Sequence, residues 1–205
     1  MRKGEETRRQ IVERALALAG EVGLEGVTLG TLAAALDLSK SGLFAHFRSK
    51  EALQLQVLER AVERFVDAVV RPALLEPRGE PRVRELFERY LAWIRRGSSR
   101  GGCLFMSLSN EYDDRPGVVR DRLVRSQKEW LSTLARAASL AVDEEQFRAD
   151  LDCEQLAYEV LGIGMAFQHA HKLLGDPRAE KRARVAFSDL LSRAVRRTRA
   201  TASRR

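Results

Sequence analysis

The chain has 205 residues, and its 36 Lys and Arg outnumber its 29 Asp and Glu, which gives a net charge of +7. Cys103 and Cys153 are its two cysteines and form no C-x-x-C pair, which excludes a disulfide-dense scaffold and argues against a structural zinc site. No apolar run approaches the length of about 18 residues that a membrane span needs, and no apolar stretch follows the basic residues at the start, so we expect a soluble, cytoplasmic protein with no membrane partner.

Apolar residues recur at helical spacing along nearly the whole sequence, with glycine and proline at the joints, which predicts an all-α protein. The first predicted helix ends in a glycine-rich segment at 20–26. One stripe of this helix is apolar and should face the core. The stripe consists of Ile11, Ala15, Leu18, Ala19 and Val22.

Residues 28–47, TLGTLAAALDLSKSGLFAHF, have the spacing of two short helices that cross at a tight turn. Thr28 and Ser39 stand where N-caps belong, and Ala33 is small where the two helices meet. The apolar side chains that this unit should bury are Leu32, Leu36, Leu38, Leu43 and Phe47.

The opposite side of the second short helix is the informative face. If Leu43 points into the core, a rotation of about 100° per residue puts Ser41 and Ala45 on the outer side, flanked by Gly42 and Phe44. A short face of small side chains is suited to enter the major groove of DNA.

A longer helix is predicted to start after Ser49, a plausible N-cap with Glu51 in the first turn, and to end at Pro72. Its inward stripe is Leu53, Val57, Ala61 and Phe65. The stretch 72–81 holds three prolines and a glycine, and we interpret it as a linker.

Five more helices are predicted beyond the linker, enough to form a bundle. Their approximate ranges are 81–97, 102–111, 116–141, 151–174 and 178–199. Residues 181–205 hold nine Lys and Arg but one Asp, and the rest of the chain is close to neutral. A solvated helix face and a frayed tail explain such a run, so net charge does not argue for DNA binding here.

The segment SKSGLFAHFRSKEAL resembles the recognition-helix signature of the tetracycline-repressor (TetR) family, and GLEGVTLGTLAAALDLS resembles the helix and turn before it. The resemblance covers roughly residues 7–60. It implies an N-terminal three-helix DNA-binding domain with a helix-turn-helix and a larger C-terminal helical bundle for ligand binding and dimerisation. The corresponding ranges are 1–50 for the DNA-binding domain, 51–80 for the linking helix and linker, 81–199 for the bundle and 200–205 for a disordered basic tail.

The family resemblance also implies DNA contacts residue by residue. Phosphates would be held by Thr28, His46 and Lys50, and base edges would be approached by Lys40, Ser41, Gly42, Phe44 and Ala45. The sequence departs from the family pattern at Asp37, where glycine is frequent, and at Phe44, where tyrosine is common. Phe44 should therefore make apolar contacts with a thymine methyl group or a sugar. The alternatives are a half-buried His46, a core Phe44, and solvated Lys40 and Lys50.

The bulky apolar residues beyond the linker are the candidates for the wall of an effector cavity, although ordinary core packing would produce the same pattern. These candidates are Trp93, Phe105, Met106, Tyr112, Trp130, Met165 and Phe167. For Cys103, packing as a small hydrophobic residue is the simpler interpretation than a redox switch.

The last two long helices are expected to form the dimer interface, because family members pair these helices from two subunits in a four-helix bundle. Gly162, Gly164 and Ala166 would permit close approach. The apolar material is Leu156, Val160, Ile163, Phe167, Phe187, Leu190, Leu191 and Ala194. A two-fold dimer implies a pseudo-palindromic operator.

No constellation of catalytic residues or metal ligands is found in the sequence, and no cofactor is expected. His169 and His171 lie two apart on a helix and cannot grip one metal as an i, i+4 pair would. The acidic residues Glu111, Asp113 and Asp114 are interpreted as a surface loop.

The predicted function is a ligand-responsive transcriptional repressor that binds an operator as a homodimer and is released by a small, mostly apolar effector. The alternatives are an architectural DNA-binding protein without an effector and a helical binding module without a DNA partner.

Overall fold

A computed structural model describes residues 3–36, 38–97 and 103–196, with only the backbone for Lys3, Lys40 and Phe44. Within these ranges the chain is helical, and its one β feature is an isolated bridge between Phe147 and Val195. The helices are α1 (Lys3–Val22), α2 (Leu29–Leu36), α3 (Lys40–His46), α4 (Lys50–Phe65), α5 (Arg71–Ala73), α6 (Glu80–Arg96), α7 (Leu104–Tyr112), α8 (Val118–Asp143), α9 (Cys153–Gln168) and α10 (Ala179–Ala194). Two π-helical segments, Val66–Val70 and His169–Leu173, extend α4 and α9.

The chain divides into two compact units. The first contains residues 1–71 and 91–129, and the second contains 72–90 and 130–205. Among the described residues, no helix is both long enough and apolar enough to traverse a bilayer.

The core of the first unit is built where α1 packs on α4. The buried stripe of α1 differs from the predicted one, since Val22 is 52% exposed and Leu18 is only half-buried. The i, i+3, i+4 spacing alone predicts the other stripe, but the buried face of α1 is turned towards Val12 and Leu16. The buried residues of α1 are Ile11, Val12, Ala15, Leu16 and Ala19.

The long helix that starts at Lys50 does not stop at Pro72, as the sequence predicted, but continues to Ala73. The π-helical segment just before this proline makes the continuation possible. There the N–H of Arg71 donates to the carbonyl of Val66, five residues back. A proline in a helix has no N–H to donate, and its ring crowds the carbonyl four residues earlier. The wider π-helical turn shifts the backbone register just before Pro72 and so accommodates both effects.

The second unit is centred on the packing of α9 against α10. Phe187 stacks on Phe87 with ring centroids 3.7 Å apart. The apolar residues predicted for the dimer interface are, apart from Ile163, buried within the chain itself, contrary to the prediction. They are Leu156, Val160, Phe167, Phe187, Leu190, Leu191 and Ala194. Gly164 is also buried, and a Cβ at this position would collide with the ring of Tyr90. The close approach that Gly164 permits is therefore used within the chain, contrary to its predicted use between subunits.

The last helix ends at Ala194 and not near 199 as predicted. Val195 has extended backbone angles, and the strand-like segment around it pairs with residues 146–148. The Arg148 N–H donates to the Ala194 carbonyl at 2.9 Å, and the Arg196 N–H donates to the Gln146 carbonyl at 3.0 Å. These bonds satisfy carbonyl and N–H groups that a longer helix would have used. The predicted basic tail at 200–205 lies outside the described residues.

Candidate nucleic-acid interface

Helices α2 and α3 form the helical hairpin that the sequence predicted. Leu32, Ala33, Leu43 and Phe47 are all buried, at 4% exposure or less, which confirms their core positions. The prediction that Leu36 and Leu38 are buried is wrong, since Leu36 is only half-buried. Leu38 is 44% exposed because it lies in the turn after α2 and before the N-cap of α3.

The start of α2 is held by a reciprocal pair of threonines. The Thr31 N–H donates to Thr28 Oγ1 at 3.0 Å, and the Thr28 N–H donates to Thr31 Oγ1 at 2.9 Å. This confirms Thr28 as an N-cap and gives the pair the pattern of a capping box with threonine in place of the usual glutamate. Thr31 was missed in the sequence, although its position three residues after the cap was a usable signal.

Helix α3 begins at a confirmed N-cap, because Ser39 Oγ accepts the N–H of Gly42 at 3.1 Å. Its outer face carries Ser41, Gly42 and Ala45, all exposed. The side chains of Lys40 and Phe44, and the whole of Asp37, lie outside the described residues, so the predictions for them stay predictions.

The C-terminal end of α3 is anchored from α1 and α4. The Arg8 guanidinium lies 5.4 Å from the centroid of the Phe47 ring, a cation–π distance, and its Nε donates to Gln56 Oε1 at 2.9 Å. His46 is half-buried, with its ring centroid 6.4 Å from that of Phe47. Arg8 therefore joins the C-cap residue of α3 to α4, a contact with no signal in the sequence.

Lys50, the first residue of α4, is paired with an acidic residue of the α1–α2 turn. Its Nζ donates to Glu25 Oε2 at 2.8 Å, and both side chains are 39% exposed. The other Glu25 oxygen, Oε1, accepts the Tyr112 hydroxyl at 2.9 Å and Gln54 Nε2 at 3.2 Å. The Lys50 hydrogen bond is the main cause that holds the pKa of Glu25 below its usual value. Burial, and then the Glu25 carboxylate, raise the pKa of Tyr112.

A second carboxylate secures the backbone of the same turn. Glu111 of α7 accepts the N–H groups of Leu24, at 3.0 Å, and of Glu25. The turn presents these amides because Gly23 adopts a positive φ of 76°, a conformation that glycine takes without strain. Glu111 was interpreted as part of an acidic surface loop, and this was wrong because it lies on a helix and accepts two backbone hydrogen bonds.

A pocket of about 290 Å³ opens beside this network in the first unit. Glu25, Lys50 and Tyr112 lie in its wall together with residues of the segment that leads into α8. The remaining lining residues are Glu51, Gln54, Arg115, Pro116, Gly117, Val119 and Arg120. Most of its lining is polar or charged, unlike the apolar effector cavity expected from the sequence.

The candidate effector residues fall into separate groups. In the first unit, Phe65 of α4 meets Trp93 and Phe105 edge-on, at 5.5 and 5.7 Å between centroids, with Cys103 buried and Met106 half-buried. Burial raises the pKa of the Cys103 thiol, as expected for a packed small hydrophobic residue.

In the second unit, Trp130 is buried 5.2 Å from the Tyr90 ring, and Phe167 is buried and stacked on His171 at 5.3 Å. Met165 is 54% exposed and lies on the surface of its unit.

Comparison with known proteins identifies an N-terminal and a C-terminal region of the sequence. Residues 11–57 match the family model "Bacterial regulatory proteins, tetR family", and residues 79–187 match "Tetracyclin repressor-like, C-terminal domain". The chain is 29% identical over 150 residues to the HTH-type transcriptional repressor DhaR of Mycobacterium sp. (strain GP1), covering 73% of this chain and 74% of that protein.

Solved structures share the fold. A TetR transcriptional regulator from Chloroflexus aurantiacus J-10-FL superposes with a TM-score of 0.84 at 24% identity, covering 97% of this chain and 100% of that one. AibR in complex with isovaleryl coenzyme A and operator DNA superposes with a TM-score of 0.71 at 22% identity, covering 89% of this chain and 96% of that one. The family and these relatives are transcriptional regulators and not enzymes. The chain belongs to the TetR family of transcriptional regulators.

Proposed function

We propose that the chain is a ligand-responsive repressor that binds a pseudo-palindromic operator as a homodimer and leaves it when a small, mostly apolar effector binds. The observation that supports the proposal is that α3 has one buried side and one exposed side. Leu43 of α3 and Phe47 at its C-cap are buried, whereas Ser41 and Ala45 are exposed on the other side of the helix. A short helix with small outer residues can approach base edges closely in the major groove.

The proposed DNA contacts fall into two classes. Thr28, His46 and Lys50 hold phosphates and set the position of the protein on the duplex. Base edges are read from α3. Its proposed base-reading residues are Lys40, Ser41, Gly42, Phe44 and Ala45. Because this face offers few hydrogen-bond donors, a Lys40 contact with guanine, methyl contacts and DNA shape supply most of the specificity.

Dimerisation is proposed to use α9 and α10 within a bundle and dimerisation region of residues 81–199. In support, Tyr158 is 68% exposed and Met165 is 54% exposed on α9, and Gly162 and Ala166 are exposed small residues of the same helix. Spacings of four and seven residues put these residues on one face of the helix. Val185 of α10 adds another exposed apolar side chain.

The effector is proposed to bind next to the aromatic group formed by Phe65, Trp93 and Phe105. Phe65 belongs to α4, the helix that starts at the DNA-binding domain, so a ligand that displaces this group also acts on α4. The effector has to bind the DNA-free state more tightly than the operator-bound state, and this difference in affinity supplies the coupling. AibR, a structural relative, was crystallised with both isovaleryl coenzyme A and operator DNA.

The decisive experiment is selection of bound duplexes from random DNA with the full chain, followed by footprinting of the best sequence. The expected result is one short palindrome whose half-sites lie about one helical turn apart. Coating of DNA with little sequence preference and a steep salt dependence would instead identify an architectural protein. If Lys40→Ala and Lys50→Ala variants retain full affinity, DNA binding by this interface is wrong.

A screen of small apolar compounds against the selected duplex tests the regulatory half of the proposal. The expected hit lowers operator affinity, and its own affinity falls in the presence of the duplex, because coupling between two sites is reciprocal. A compound that binds tightly and leaves operator affinity unchanged contradicts this account of induction.

A further inference from the structure

Lys50 is engaged by a carboxylate at the position where the proposed function needs it to meet DNA. Its ammonium lies 2.8 Å from Glu25 Oε2, and both side chains keep about two fifths of their surface exposed. A phosphate that approaches Lys50 therefore meets an ion pair and not an isolated positive charge. Because like charges repel, the Glu25 carboxylate also weakens the attraction of this surface for the phosphate backbone.

Glu25 is held at Lys50 by residues from outside the helix-turn-helix. The Tyr112 hydroxyl donates to Glu25 Oε1 at 2.9 Å, and Glu111 accepts the backbone N–H of Glu25. Arg115 Nη1 lies 3.6 Å from Glu25 Oε2. These three residues belong to the region that matches the C-terminal family domain, whereas Glu25 and Lys50 belong to the N-terminal match.

The protonation states suit this arrangement. The pKa of Glu25 is lowered, mainly by the Lys50 hydrogen bond, so its carboxylate is charged at neutral pH. The raised pKa of Tyr112 keeps its phenol neutral and able to donate. The contact is therefore a charged pair, Glu25 and Lys50, with a neutral donor from α7 attached to the carboxylate.

We propose that Glu25 is an internal competitor of the operator phosphate for Lys50, and that α7 holds it in this position through Tyr112. This inference rests on the proposed function, because it assumes that Lys50 contacts DNA. It makes Glu25 and Tyr112 positioning residues that set operator affinity without touching the operator. A shift of α7 away from the α1–α2 turn would release Lys50 and strengthen phosphate binding.

The test is a double-variant cycle on the full chain with the duplex selected from random DNA by the wild-type protein. Glu25→Gln keeps an oxygen that can accept the Tyr112 hydroxyl but removes the charge. It is expected to raise operator affinity about fivefold at low salt, the upper range for an exposed ion pair. The slope of log K against log salt should steepen, because Lys50 without its Glu25 partner neutralises a phosphate more completely and releases more counterions.

Further variants test whether the effect on operator affinity acts through Lys50 and Tyr112. Lys50→Met should cost more affinity in the Glu25→Gln background than in the wild type, since Lys50 is free there. Tyr112→Phe should raise affinity about twofold in the wild type, because the freed carboxylate can turn towards solvent, and should have no effect in the Glu25→Gln background. Glu25→Asp keeps the charge but withdraws it by one methylene, and should give an intermediate affinity even if the glutamine variant folds poorly.

Glu59→Gln is the matched control. It makes the same change in net charge and breaks a different ion pair of α4, the one with Arg122 of α8 at 2.6 Å. Its operator affinity should stay within about twofold of wild type. The inference is overturned if Glu25→Gln and Glu59→Gln change operator affinity equally. It is also overturned if the effects of Glu25→Gln and Lys50→Met are additive, or if Tyr112→Phe lowers operator affinity. If the wild type selects no duplex, the proposed function fails first and the inference with it.

Discussion

Ser39 controls the start of α3 through one hydroxyl group, which accepts the N–H of Gly42. Ser39→Ala should lower the free energy of unfolding by about 1 kcal/mol, the usual loss for an N-cap. Operator affinity should fall as well, because the first turn of α3 carries the base-reading residues. Chemical denaturation and DNA titration measure the two effects.

Ser107→Ala is the control for the cap, since Ser107 is an exposed residue inside α7. Alanine is the better helix former there, so stability should stay the same or rise slightly. A loss equal to that of Ser39→Ala would show that the cap has no special role.

The ion pair between Glu59 and Arg122 predicts a pH dependence of stability. The Arg122 hydrogen bond lowers the pKa of Glu59 below its usual 4.5. A carboxyl group with a depressed pKa in the folded state stabilises the fold above its unfolded pKa, and this contribution is lost as pH falls through the folded pKa. Because Glu59 is half-exposed, the contribution should be small, about 1 kcal/mol or less.

Glu59→Gln should accordingly lower stability at pH 7 and leave it nearly equal to wild type near pH 3. Urea unfolding at both pH values measures the difference. A gap between the two proteins that is the same at pH 7 and pH 3 would contradict an ionic origin.

At the scale of elements, α3 has to present a face that accepts negatively charged DNA. Ala45→Glu puts a carboxylate on its exposed side, and operator affinity should fall at least about 100-fold because like charges brought together cost several kcal/mol. Thermal unfolding should be unchanged, since Ala45 is exposed. Electrophoretic mobility shift with the selected duplex measures the loss.

Leu75→Glu controls for the added negative charge. Leu75 is 85% exposed and lies in the turn between α5 and α6, so its substitution should leave DNA binding close to wild type. Comparable losses in Ala45→Glu and Leu75→Glu would mean that net charge, and not the outer face of α3, determines affinity.

Local sequence signals predicted the elements that depend on neighbouring residues. Thr28, Ser39 and Ser49 were predicted as N-caps and each accepts a backbone N–H, and Leu43 and Phe47 are buried as expected. Each of these follows from residues within four positions, where helix periodicity and capping chemistry are informative.

Long-range contacts were not predictable from the same signals. Glu111 meets the amide of Leu24 across 87 positions, and Gly164 is small because Tyr90 fills the space beside it. The early end of α10 depends on backbone pairing with residues 146–148. No periodic pattern encodes such partners, since each depends on how the helices pack.

At the scale of the whole molecule, the compact units do not follow chain order. Residues 91–129 belong to the compact unit that contains residues 1–71, although they fall within the matched C-terminal family region 79–187. Helix α7, which lies in this segment, therefore shares a unit with the helix-turn-helix. The network of Glu25, Lys50 and Tyr112 is one physical consequence of this arrangement.

The exposed apolar face of α9 belongs to the homodimer in our proposal, and Met165 is one of its two large exposed side chains. Met165→Glu introduces a charge that dimer formation would bury without a partner, so the variant should be monomeric at concentrations where the wild type is dimeric. Light scattering should give one chain mass of 23.1 kDa in place of two. Because a dimer reads both half-sites, operator affinity should fall by about 100-fold or more while each subunit stays folded. Leu75→Glu, which adds the same charge at an exposed residue outside α9, should remain dimeric. A Met165→Glu variant that keeps the dimer mass and full operator affinity would rule out this face as the dimer interface.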